Sequence, residues 1–150
     1  LPISNHNAAM ADLLGKEELT PYDVAKLQQV PFVVHLPDQT KGEVHETIGS
    51  HVDMKPTILH LLGMDTSDLI GFGNDLFSKE RNSRAIFRDG TVLTDEYVWT
   101  QSTCYDAQTG EVVEDASLCG PVNEEAESIL QMNDDFIYSD LLRFKEQSNN

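Results

Sequence analysis

Five histidines, at positions 6, 35, 45, 51 and 60, all fall in the first half of the chain, and two cysteines, Cys104 and Cys119, fall in the second. These are the side chains to test first for metal, acid-base or nucleophilic chemistry. His51 and Asp53 are two residues apart in "GSHVDMKPTILHLLGM" and could reach one cation, but no third ligand lies close in sequence. Asp53 is therefore read as the N-cap of a helix. His60 lies seven residues further on, about 10 Å along a helix axis, too far to share an ion with Asp53, and is read as an interface histidine. His35 closes an apolar run at the place where α/β folds put their sites, yet it stands alone. The knot Asn5, His6, Asn7 sits at a helix start, where it either binds an anionic group or caps the helix; Asn5 and His6 are the candidate substrate-binding pair.

No histidine follows His60, so neither cysteine has an imidazole in its own segment to make a thiolate nucleophile or complete a zinc site. Joined, Cys104 and Cys119 would close a loop worth about 3 kcal/mol in an oxidising compartment; the alternative is two free thiols. "DAQTGE", residues 106–111, offers oxygen ligands without the spacing of a calcium loop. There is no G-x-S-x-G, no Gly-rich phosphate loop and no H-E-x-x-H. Residue spacing alone thus assigns neither a catalytic residue nor a metal ligand to this chain.

The elements that would position these groups follow two grammars. "NHNAAMADLL" predicts a helix over 5–14 stopped by Gly15, and Thr20 with Pro21 opens a second short helix. "VPFVVHLP" does not alternate and predicts a strand covered on both faces, the habit of a parallel sheet. A lone strand leaves its backbone groups unpaired, so its partners are expected in residues outside this sequence. A helix is predicted from Asp53 to Leu62, with Pro56 in its first turn and Gly63 ending it. Beyond "GFGNDLFSKERN", a loop, an Asp89–Gly90 turn and short apolar runs predict an antiparallel meander of three to five strands. A helix from Asn123 to about Lys145 follows, with Leu130, Ile137, Leu141 and Phe144 on one stripe. Residues 1–80 thus read as an α/β fragment, helix-strand-helix, and 81–150 as a small α+β subdomain with a meander and a C-terminal helix.

Ten basic against 26 acidic residues give a net charge of −16, which repels phosphate backbones and excludes nucleic acid as a partner. From Cys104 onward, 11 acidic residues face only Arg143 and Lys145, read as a solvated acidic face. No apolar run approaches the ~20 residues of a transmembrane helix. The chain opens without methionine and reads as a piece of a longer one whose targeting segment lies upstream.

The runs "ISNHNAAMADLLGKEELTPYDVAKLQQVPFVVHLP" and "HETIGSHVDMKPTILHLLGMDTSDLIGFGNDLFSKERN" resemble the C-terminal part of lipoteichoic acid synthase and its phosphoglycerol transferase relatives. Those enzymes belong to the sulfatase and alkaline phosphatase superfamily. "VDMKPTILHLLGM" looks like a helix found across that superfamily, while "NHNAAM" and "GFGNDLFSKERN" look like the synthase branch. The resemblance implies that residues 1–80 complete a sulfatase-like sheet. It also implies an extracytoplasmic protein anchored in the cell membrane by an upstream segment. Its substrates would be phosphatidylglycerol and a polyglycerolphosphate chain, with Mn2+ or Mg2+ as cofactor. The threonine nucleophile and the metal ligands, an Asp-His pair among them, would lie upstream of Leu1, so the chain's main partner would be the upstream part of its own catalytic domain. The chain is then expected to be inactive alone. A sulfatase or phosphodiesterase of the same superfamily, and a non-catalytic acidic interaction module, are the alternative readings.

Overall fold

The computed structural model describes residues 6–65, 71–81 and 83–140. Asn7 caps α1 (Ala8–Leu13), its side chain accepting from Met10 N–H at 3.2 Å. Gly15, at φ +66°, ends that helix: its N–H bonds Asp12 O and the N–H of Lys16 bonds Ala11 O, which satisfies the last-turn carbonyls. Thr20 caps α2 (Pro21–Lys26), with Asp23 reaching back to Thr20 N–H at 2.9 Å.

The expected strand in "VPFVVHLP" is not formed. Residues 30–37 make no ladder in this chain, and Val33 is 82% exposed, because no strand among the described residues lies beside the run to take up its backbone groups. The N-cap of α3 (His51–Leu61) lies three residues earlier than expected, at Ser50 rather than Asp53. Asp53 is the third helical residue, and its carboxylate bonds back to Ser50 N–H at 2.6 Å. Pro56 consequently falls in the second turn, where its missing N–H leaves the Val52 carbonyl without its i+4 donor.

The second half is built on a four-stranded antiparallel meander: β1 (Arg84–Ile86), β2 (Val92–Thr94), β3 (Tyr97–Thr100) and β4 (Thr103–Asp106), paired in that order. Register places Ala85, Leu93, Val98 and Tyr105 opposite one another in a row across all four strands. That row is the main core; α2 covers it with Ala25 and Tyr22, and the Tyr22 hydroxyl donates to Ala107 O at 2.9 Å. The core therefore draws on residues from both sides of position 80.

The alternate row, Ile86, Val92, Trp99 and Cys104, faces the other way by strand periodicity. α4 (Gly120–Tyr138) lies against this side. A disulfide from Cys104 to Cys119 fixes its start, and the ion pairs Arg84–Glu125 and Arg88–Asp134 hold its length. Its less exposed positions, Val122, Ala126, Ile129, Asn133 and Phe136, recur at helical spacing. Of the stripe expected through Leu130 and Ile137, Leu130 is partly buried beside Ile129, whereas Ile137 is corrected to a solvent-facing position, 62% exposed. Leu141 and Phe144 lie outside the described residues. The β3–β4 turn runs through Gln101 and Ser102, both at positive φ, the twist a two-residue hairpin needs. "EVVED" adds only a bridge from Val112 to Tyr105.

Candidate functional site

The densest polar organisation is at the start of α3. Asp53 is buried, and its carboxylate accepts from Ser50 N–H at 2.6 Å, Ser50 Oγ at 3.2 Å and the N–H of Asn74 at 2.7 Å. One turn on, the buried Thr57 hydroxyl donates to Asp53 O at 2.6 Å and accepts from Leu76 N–H at 3.0 Å. The loop through residues 71–77 is thus stitched along α3. It can approach so closely because residue 73 is glycine: a Cβ there would run into the Val52 carbonyl oxygen, the one that Pro56 leaves without its helical partner. Phe72, on the same loop, meets Phe136 of α4 edge-to-face at 5.7 Å between centroids. Sequence reasoning missed these links. The Gly-x-Gly-Asn spelling of 71–74 was the signal, because it marks close backbone approach.

The histidines separate. His6 is exposed beside the α1 cap, Asn7 rather than Asn5 makes that cap, and Asn5 lies outside the described residues. His51 is exposed while Asp53 turns inward, so the two share no cation. His35 is exposed in the unpaired run. His60 Nδ1 meets Asp75 Oδ2 at 2.6 Å, and the rings of His60 and His45 both stand edge-on to Phe77. Among the described residues no three His, Cys, Asp or Glu side chains gather so that they could hold a metal.

Two acidic groups are satisfied structurally. Asp106 accepts from the N–H of Thr109 and of Gln108 and from the Thr109 hydroxyl, which hold its carboxyl below the usual range and close the "DAQTGE" turn on itself. Burial pushes Asp23 upward, but hydrogen bonds from Lys16 Nζ, Thr20 N–H and the Thr20 hydroxyl together outweigh it and leave the carboxyl below its ordinary value. What the described residues build is a hydrogen-bonded scaffold, α3 with its stitched loop, and, separately in the chain, an unpaired apolar run.

No protein-family model matches the chain. It is 49% identical over 144 residues to the lipoteichoic acid synthase-like YvgJ of Bacillus subtilis, an alignment that takes in 94% of this chain and 23% of that protein. The chain is homologous to lipoteichoic acid synthases. Lipoteichoic acid synthase 2 of the same organism is 41% identical over 142 residues, covering 95% of this chain and 22% of that protein. The lipoteichoic acid synthase of Staphylococcus aureus (strain USA300) is 37% identical over 141 residues, again 93% of this chain and 22% of the relative. The chain thus spans under a quarter of the length of the curated relatives it matches.

Proposed function

We propose that this chain is the C-terminal part of an extracytoplasmic phosphoglycerol transferase. The enzyme would pass glycerophosphate from phosphatidylglycerol to a growing polyglycerolphosphate chain. The observation that carries this is the 37–49% identity to lipoteichoic acid synthases, sustained over nearly all of the chain. In this reading the chain's task is structural. α3 and its stitched loop form a wall of the catalytic domain, and residues 30–37 complete the sheet of the upstream part. The unpaired, exposed state of that run supports the assignment, since an apolar segment of this length gains by pairing and burial. The Cys104–Cys119 disulfide supports an extracytoplasmic setting, where such bonds persist. No helix among the described residues is long and apolar enough to cross a membrane.

Mn2+ or Mg2+ in the whole enzyme would activate a hydroxyl nucleophile and stabilise charge on the phosphoryl oxygens. Among the described residues no set of three His, Cys, Asp or Glu side chains fits that ion. His6 would stand near the substrate, exposed at the start of α1. The reading is tested with fluorescent phosphatidylglycerol. A protein carrying these 150 residues behind its own upstream segment should release labelled diacylglycerol, and the 150-residue chain alone should release none. Turnover of aryl sulfates by the longer protein, with none of the lipid, would instead establish a sulfatase.

A further inference from the structure

α4 lies on the face of the meander away from the main core, and its own packing there is thin. Of its 19 residues only Ala126 is buried. The ion pairs along it, Arg84–Glu125 and Arg88–Asp134, each keep one side chain more than half exposed, so each adds little. The firm attachment is covalent. Cys119, at the N-cap of α4, is joined to Cys104 of β4, and both residues are 2% exposed or less. Val92 and Trp99 stand in one row with Cys104. The main core of Ala85, Leu93, Val98 and Tyr105, covered by α2, shares no residue with this attachment. The two faces of the sheet are therefore fastened separately.

At its far end α4 touches another part of the molecule. Phe136 meets Phe72 edge-to-face at 5.7 Å, and Phe72 precedes Gly73 and Asn74, the stretch of loop bonded to Asp53. One helix thus joins the disulfide at its start to the stitched loop near its end. A helix takes most of its stability from packing, so α4 freed from the sheet would fray and withdraw Phe136 from Phe72. We propose that the Cys104–Cys119 disulfide is a thiol-controlled clasp: oxidised, it holds α4 on the sheet and Phe136 on the α3 loop, and reduced, it releases both. The reductant is a dithiol. One of its thiolates attacks a sulfur of the disulfide and its second thiol resolves the mixed disulfide, so Cys104 and Cys119 end as thiols and the reductant as a disulfide. Both cysteines are buried, so attack requires the start of α4 to lift, which couples reduction to release. The clasp uses residues of this chain alone and stands apart from the phosphoglycerol-transfer reading.

The test is hydrogen exchange on the 150-residue chain with and without dithiothreitol, with thiol titration to confirm two free thiols after reduction. A tether closing 15 residues of sequence corresponds to about a hundredfold in an equilibrium constant. Reduction should speed exchange of the α4 amides by up to about that factor and of the Asn74 and Leu76 amides by several-fold, while β2 and β3 stay protected. Fluorescence of Trp99, the single tryptophan, should shift to the red as α4 leaves the sheet. In the oxidised chain, Phe136→Ala should speed exchange at Asn74 and Leu76 in the same way and leave Asn123, at the start of α4, unchanged. The proposal is overturned by a disulfide that resists excess dithiothreitol in the folded chain, by a reduced chain whose α4 stays as protected as before, by a released α4 with Asn74 and Leu76 unmoved, or by β2 and β3 losing protection together with α4.

Discussion

Asp53 Oδ1 accepts a hydrogen bond from the backbone N–H of Asn74 at 2.7 Å, tying the start of a helix to a loop 21 residues away. The same carboxylate serves Ser50 N–H through its other oxygen, so one buried group closes the helix end and anchors the loop. Removing it leaves two backbone donors unsatisfied. Asp53→Ala should therefore lower unfolding stability by about 3 kcal/mol, read as a drop in the urea midpoint. Asp53→Asn, which keeps one acceptor, should cost less, and Gly73→Ala, which forces the loop off Val52, should cost about 2 kcal/mol.

The Cys104–Cys119 disulfide, spanning 15 residues of sequence, tethers β4 to the start of α4. In the loop-entropy account its loss removes about 3 kcal/mol. Melting with and without dithiothreitol should show a drop of about 10 °C on reduction, matched by the Cys104→Ser, Cys119→Ser double variant. An unchanged midpoint would mean that α4 docks without the tether.

Asp23 gives a pH dependence with a definite sign. Its folded pKa is depressed, so the stability it contributes is present above the unfolded carboxyl value and is lost as pH falls through the lower, folded one. Urea midpoints taken from pH 6 downward should fall in acid, and Asp23→Asn should flatten that fall. Lys16→Met, which removes the ammonium bonded to Asp23 at 2.6 Å, should flatten it in part.

Much of this architecture was legible in the sequence, because capping and turn chemistry act locally. Thr20 with Pro21, Gly15 and the Asp89–Gly90 turn each do in the structure what their residue types dictate. Boundaries slipped where two residues compete for one role. Asp53 and Ser50 are both good caps, and only the geometry shows the aspartate bonding backward from the third position. The strand in residues 30–37 was read from apolarity alone, which cannot supply the neighbour a strand needs. The stitched loop was hidden because its bonds join backbone groups to side chains far apart in sequence, a pairing that no spacing rule encodes.

The unpaired run makes its own prediction. In the isolated chain the amides of 30–37 should exchange rapidly while those of β2 and β3 are protected, unless copies of the chain swap or aggregate to cover it. Val33→Lys should change the melt by less than about 0.5 kcal/mol, because the side chain is solvated, yet prevent the pairing with an upstream segment that the proposed function requires. Uniform protection of a monomer would show that the run needs no outside partner.

The most direct test of the central claim is the coding sequence immediately upstream of Leu1. The account predicts an Asp-His pair there, a few codons before "ISNHN", and a threonine nucleophile further upstream. An upstream reading frame with neither would contradict a phosphoglycerol transferase.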